Sequence, residues 1–286
     1  MKRMKVPVSI IVPVKNEEQN LGRCLASTRW AGEIFVVDSH STDATARIAQ
    51  DFGAEVVQFD FAGQFPKKKE WALRTLQLRH EWVFLIDADE ELPAEGEAII
   101  AGALRDSEGI NGYWVNRRFW FLGRPLRHAY FPNWNLRLFR HRLGRFERLT
   151  PHAADGSDME VHEHVLVEGR TSCLRLVLEH YAYPTVDAFL RKHHQYANWE
   201  AAVDWSAIAH NPVLEGQAGL RRSLRRWSQR LPFRPWLRFA YIYLWQRGFL
   251  DGAAGYYFAR LHAYYEFLSS LKRFERDLHA HRFLGN

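Results

Sequence analysis

Two aspartates one residue apart, Asp87 and Asp89, come directly after the apolar run Trp82–Ile86 and are followed by Glu90 and Glu91. Carboxylates this close repel one another unless a cation lies between them, and hard oxygen donors suit Mg²⁺ or Mn²⁺. Such an ion also binds phosphates, so the pattern points to chemistry on a nucleotide. The competing reading is a turn whose aspartate caps a helix starting near Pro93. Asp38 ends a second apolar run, Ile34–Asp38, and precedes the polar turn Ser39–Asp43. A carboxylate there accepts hydrogen bonds from a base or ribose, or else caps the next helix. Asn16, Glu17 and Glu18 form a third acidic cluster after Val8–Val14. Lys67, Lys68 and Lys69 open a helical stretch, where cations oppose the macrodipole unless an anion such as a diphosphate binds beside them. A solvated lysine face is the alternative.

The elements that must hold these residues alternate. Val8–Val14, Ile34–Asp38, Glu55–Phe59 and Trp82–Ile86 read as buried strands, separated by helical patterns over Glu18–Thr28, Asp43–Asp51 and Lys67–Leu78. Pro66 sits where a helix accepts proline. Continuous apolar strands between helices predict a parallel α/β sheet covered on both faces, with ligands at the carboxyl ends of the strands. The acidic clusters all fall at those ends. Beyond residue 110 the sequence predicts strands over Gly112–Phe121, Asn135–Arg140, Glu160–Glu168 and Cys173–His180, an irregular stretch over Gly144–Asp158, and a helix over Pro184–Ile208.

Val12-Pro13-Val14-Lys15-Asn16-Glu17, then Val36-Val37-Asp38-Ser39-His40-Ser41-Thr42-Asp43, then Asp87-Ala88-Asp89-Glu90 resemble, in this order, the signature of family 2 glycosyltransferases of the GT-A fold. More narrowly, the chain resembles the lipopolysaccharide inner-core β-1,4-glucosyltransferases. The resemblance implies a Rossmann-like, mostly parallel sheet with flanking helices. It also implies a nucleotide contact for Pro13, Glu17 and Asp38, and ribose, diphosphate and metal contacts for Asp87 and Asp89. Lys69 would then meet the diphosphate. His40 stands where that family commonly has glycine, and histidine tolerates the left-handed backbone such a turn needs.

An inverting transfer needs a base for the acceptor hydroxyl. Val161-His162-Glu163 resembles the family's short motif before its last strands, which makes Glu163 the expected base. By the same resemblance His180 is a metal or diphosphate ligand and Arg137 a basic group near the diphosphate. Plainer readings are an exposed polar strand face for His162–His164 and a structural histidine at a strand end for His180. Asp89, Glu90 and Glu160 are the reserve bases. The spacing is not H-E-x-x-H, which argues against a zinc hydrolase.

The chain has 286 residues, a length that suits about two domains, and 47% of it is hydrophobic against 25% charged, which excludes a disordered protein. Its two cysteines cannot build a disulfide framework and fit a reducing cytosol. Charge divides unevenly: residues 1–210 hold 26 Lys and Arg against 28 Asp and Glu, residues 211–286 hold 13 against 5. That last quarter also carries 16 of the 41 aromatic residues. The division predicts a transferase domain over 1–210 and a basic, aromatic helical extension over 211–286. The run Phe239–Trp245 is too short to span a bilayer, for which about 20 residues are needed. Arg221, Arg222, Arg225, Arg226, Arg230, Arg234 and Arg238, followed by an apolar stripe from Tyr257 to Leu268, predict docking on the inner face of the cytoplasmic membrane. A core-packing helix is the plainer reading, and no motif supports nucleic acid. The expected activity is therefore an inverting, metal-dependent transfer of a hexose, with glucose favoured, from a UDP-sugar to a lipid-anchored saccharide acceptor such as the lipopolysaccharide core. A sugar-phosphate nucleotidyltransferase would want a glycine-rich loop, and Pro13–Leu21 has no glycine. A non-catalytic membrane scaffold would not need the Asp87/Asp89 pair.

Overall fold

The computed structural model describes residues 4–63, 65–147, 164–202 and 233–283. Contacts divide the chain into two compact units. The first holds the described residues up to Pro125, those from Pro132 to 147, and those from 164 to Ala182; the second holds Leu126–Phe131 and the described residues from Tyr183 onward.

The first unit is built on a nine-stranded sheet. Its first half comes from β1 (Val6–Val14), β2 (Ala31–Asp38), β3 (Glu55–Gln58) and β4 (Trp82–Leu85), which lie side by side as β3-β2-β1-β4 and run parallel. The connections are α1 (Leu21–Thr28), α2 (Thr45–Asp51) and α3 (Lys68–Thr75). β1, β2 and β4 read as apolar runs because both faces are covered, whereas β3, expected to be buried, is an edge strand with Glu55 and Gln58 exposed and Val56 and Val57 half-buried. Ile10, Val36 and Phe84 join one core cluster while their neighbours Ile11, Val37 and Leu85 join another.

Past β4 the sheet changes character. β5 (Glu90–Glu91) is followed by α4 (Gly96–Arg105), β6 (Gly112–Phe121), β7 (Arg124–Pro125), β8 (Trp134–Arg140) and β11 (Thr171–Tyr183), which extend the order as β4-β8-β6-β11-β5. β8 is antiparallel to both β4 and β6, and β5 is antiparallel to β11. The expected parallel sheet thus occupies one half, and the result is a mixed α/β sheet. Among the described residues no α-helix connects these strands beyond α4, and antiparallel pairing is what remains without a crossover. The stretch expected to be irregular begins with a strand, β9 (Gly144–Phe146), paired with β10 (Val165–Val167).

The second unit is helical: α5 (Val186–Ala202), α6 (Arg234–Ala240), a π-helical turn over Tyr241–Trp245, a 3₁₀ turn over Gly248–Asp251, and α7 (Gly252–Phe283). Phe189, Trp199 and Phe258 are fully buried in it. His193 and His262 pack among these rings, with the His193 ring 3.7 Å from that of Phe189. Asp251 accepts the backbone amides of Arg127, His128 and Ala129 at 2.9, 3.0 and 2.7 Å, anchoring Leu126–Phe131 in this unit. A Cβ on Gly255 would collide with the Gly248 carbonyl, so only glycine lets α7 start against the 3₁₀ turn. Among the described residues no helix is long and apolar enough to cross a membrane.

Candidate active site

At the carboxyl ends of β1 and β2 two loops are stitched together by polar contacts. Asn16 (φ 55°) donates its amide to Ser41 Oγ at 2.8 Å and accepts the Thr42 amide at 2.9 Å. The Glu17 amide reaches Thr45 Oγ1 at 2.8 Å. Asp38 is buried and accepts Ser41 Oγ at 2.5 Å, the Ser41 amide at 3.0 Å and Gln58 Nε2 at 3.2 Å. Asp38 thus ties down the Ser39–Asp43 turn and does not cap α2, whose N-cap residue Ala44 has no side-chain hydrogen bond, while Glu17 stays half-buried on the adjacent turn. Pro13 pairs with Val37 one position before that turn. His40 adopts the left-handed backbone expected of it, φ 55°.

The end of β4 is electrostatic. Asp87 meets Lys69 Nζ at 2.7 Å through one oxygen and Arg137 Nη2 at 2.8 Å through the other. Arg137 Nη2 also donates to Glu90 Oε1 at 2.6 Å, and Arg117 Nη1 reaches that same oxygen at 3.3 Å. Lys69, Asp87, Arg137, Glu90 and Arg117 thus form a row of alternating charges. Burial alone would raise the Asp87 carboxyl; the Arg137 guanidinium and the Lys69 ammonium overcome it and hold that group well below the usual carboxylate range. Lys67 and Lys68 are buried, and Lys68 Nζ donates to the Val14 carbonyl at 2.8 Å. The lysine run is therefore no solvated face: one lysine braces β1 and another holds Asp87. Glu70 is bound by Arg74 and accepts the Phe146 amide at 2.7 Å, a structural anchor.

Asp89 stands apart from the row. Its Oδ1 lies 3.2 Å from His180 Nε2, both side chains being close to nine-tenths buried. His180 Nδ1 is buried with no hydrogen-bond partner among the described residues, and the ring rests 4.6 Å from that of Phe119. A carboxylate oxygen and an imidazole nitrogen facing each other can share a divalent ion. Among the described residues no group of three or more such side chains forms a complete cage. Two protein ligands with open positions fit an ion that draws its other ligands from phosphate and water.

The family resemblance assigned Asp87, Asp89, Lys69, Arg137 and His180 to the diphosphate and metal; the structure joins Lys69, Asp87 and Arg137 in one row and pairs Asp89 with His180. Glu163, Glu160 and His162 lie outside the described residues. Glu90 is corrected as a reserve base: it is fully buried and held on both oxygens. Arg117 and Gln58 went unnoticed, and Lys68 was read only as one of the lysine run. The signal for Arg117 was a charged pair, Arg117-Arg118, inside an apolar strand, where a cation needs a partner.

Residues 9–158 match the sequence profile of glycosyl transferase family 2. The chain belongs to that family. Lipopolysaccharide core biosynthesis glycosyltransferase LpsC of Rhizobium meliloti is 28% identical over 286 residues, covering 95% of this chain and 93% of the relative. Glycosyltransferase RT0209 of Rickettsia typhi, itself uncharacterized, is 25% identical over 198 residues, 68% of this chain and 66% of the relative. Among solved structures, mannosyltransferase PcManGT from Pyrobaculum calidifontis in complex with GDP-Man and Mn²⁺ matches with a TM-score of 0.53. That match covers 94% of this chain and 87% of the other at 17% identity, a likeness of fold. The family 2 protein is thus a glycosyltransferase of GT-A fold, and its likeness to an enzyme of lipopolysaccharide core assembly runs nearly end to end.

Proposed function

We propose that this glycosyltransferase moves a hexose, with glucose favoured, from a UDP-sugar to a lipid-anchored saccharide such as the lipopolysaccharide core, with inversion and with a divalent ion. The observation that carries the reading is the charged row at the end of β4 beside the Asp89–His180 pair. Asp89 and His180 would hold Mg²⁺ or Mn²⁺, which when bound neutralises charge on the leaving nucleoside diphosphate. Lys69 and Arg137 share Asp87 and stand next to where that diphosphate would lie. Glu17, Asp38 and Pro13 border the loops where the nucleoside would sit, and Glu163 would take the acceptor proton. The acceptor follows from the likeness to LpsC. Purified protein, titrated with a panel of nucleotide sugars in the presence of Mn²⁺, tests the donor. UDP-glucose should give the largest thermal shift. Protection by a GDP-sugar alone would overturn the UDP assignment, and no protection by any would overturn the metal–donor reading.

Docking on an anionic membrane surface is the second part of the proposal, and the structure changes its physics. Arg234 is buried and bound to Glu266 at 2.5 Å, and Arg238 lies 3.8 Å from the same carboxylate, so neither is free for lipid headgroups. What the helical unit exposes instead is apolar: Trp236, Leu237, Leu244, Trp245, Phe249 and Leu250 are each 47–81% exposed. Between Phe233 and Gly252 the exposed charged residue is Arg247. Tryptophans beside leucines with a basic rim fit a bilayer interface.

A further inference from the structure

Glu90 has no part in the transfer as outlined above, yet it is engaged through both of its oxygens. Its side chain is fully buried. Oε2 accepts the Asp87 amide at 2.9 Å, and Oε1 accepts Arg137 Nη2 at 2.6 Å and Arg117 Nη1 at 3.3 Å. One carboxylate therefore fixes both the turn that aims Asp87 and the guanidinium that Asp87 shares. It also sets the electrical balance. In the row Lys69–Asp87–Arg137–Glu90–Arg117, three cations face two carboxylates, leaving one positive charge in excess. The diphosphate of a nucleotide sugar carries two negative charges. The row alone cannot match them, and a divalent ion can.

We propose that Glu90 is a positioning residue that keeps the donor site short of positive charge, and so makes donor binding depend on the divalent ion. The inference rests on the donor-site reading above. Removing the Glu90 charge would leave the row with two excess positive charges. Metal-free UDP should then bind more tightly, while an added cation meets more repulsion. A unit charge about 8 Å from the two charges of the diphosphate, at the dielectric constant of water of about 80, is worth about fivefold in affinity. By linkage the metal's benefit to UDP and UDP's benefit to the metal fall by the same factor.

The experiment is calorimetric titration of UDP into wild type, Glu90→Gln, Glu90→Asp and Arg117→Gln, each with chelator and with saturating Mn²⁺. The readout is the ratio of metal-free to Mn²⁺-bound Kd, and near-ultraviolet circular dichroism checks folding. In Glu90→Gln the ratio should fall about fivefold, because the amide keeps the shape but loses the charge. Glu90→Asp keeps the charge and should return the ratio toward wild type. Arg117→Gln removes a cation from the outer end of the row and should move the ratio the other way. It carries the test by itself if Glu90→Gln does not fold. A purely structural role would lower thermal stability in the Gln and Asp variants alike and leave the ratio unmoved, which would overturn the inference. A wild type that shows no Mn²⁺-dependent UDP binding would instead overturn the donor reading.

Discussion

At the scale of single residues, the two aspartates after β4 differ in what surrounds them. Asp87 is held by two cations, whereas Asp89 faces one imidazole. Asp89→Ala should therefore abolish Mn²⁺-dependent UDP binding and leave the protein folded, at a cost of about 1 kcal/mol from the lost hydrogen bond. Calorimetry showing unchanged Mn²⁺-dependent affinity would remove Asp89 from the metal site. Glu163→Gln should bind UDP-sugar within about threefold of wild type and lose transfer by about 10² to 10⁴, since positioned bases typically contribute that much. Transfer at the wild-type rate would move the role to Asp89 or Glu160, Glu90 being inaccessible. The motif aspartates and Lys69 were legible because each sits at a strand end or helix start that local pattern reveals, whereas Arg137, in the middle of β8, was legible only through the family resemblance. The partnership of Glu90 with Arg117 was not, because 27 residues separate them and only the sheet order brings β6 alongside β8 and β8 alongside β4.

At the scale of elements, β1, β2 and β4 were readable because burial on both faces leaves an unmistakable apolar run, while the edge strand β3 offers only Val56 and Val57. The helical tail was readable only in outline. Its sequence offers one stripe from Tyr257 to Leu268, but α7 divides it: Phe258 and Tyr265 are buried, while Tyr257 and Tyr264 are about half exposed. Period alone marks an apolar side of a helix and is silent on how much of that side a neighbour covers. The uncovered part leads to a prediction about membranes. Replacing Trp236, Leu244, Trp245 and Phe249 with serine should weaken partition onto anionic vesicles by at least about tenfold, each side chain being worth about 1.5–3 kcal/mol when fully buried. High salt should release only the share carried by Arg221–Arg230, whose attraction is screened within about 8 Å at physiological salt. If co-sedimentation shows the serine variant bound as well as wild type but stripped by salt, arginines and not the apolar face hold the protein.

At the scale of the whole molecule, two buried histidines tie stability to pH. Burial is the largest cause for both; it brings His193 down to about 4 and puts His262 well below its ordinary value, with Arg238 adding to the effect in each case. The unfolded chain, with histidine near 6.5, binds protons that the folded unit refuses, so stability present above about pH 6.5 drains away as pH falls toward 4. For His193 alone the full span is worth about 3 kcal/mol. The unfolding midpoint should drop between pH 7 and pH 5, and His193→Gln, which cannot titrate there, should flatten the slope; equal slopes would place the pH sensitivity elsewhere. The division of the chain was less legible than its elements, because a charge count along the sequence cannot show a segment leaving one unit for another. Leu126–Phe131 does so, and Asp251 receives it through three consecutive amides. The helical tail is consequently no detachable cassette. Shortening the chain after Ala182, or grafting on the tail of a cousin without an acid at position 251, would strand those amides and loosen the link between the last two strands of the β7-to-β8 passage. Recombination within this family should therefore succeed only when the 126–131 loop and the tail are inherited as a matched pair.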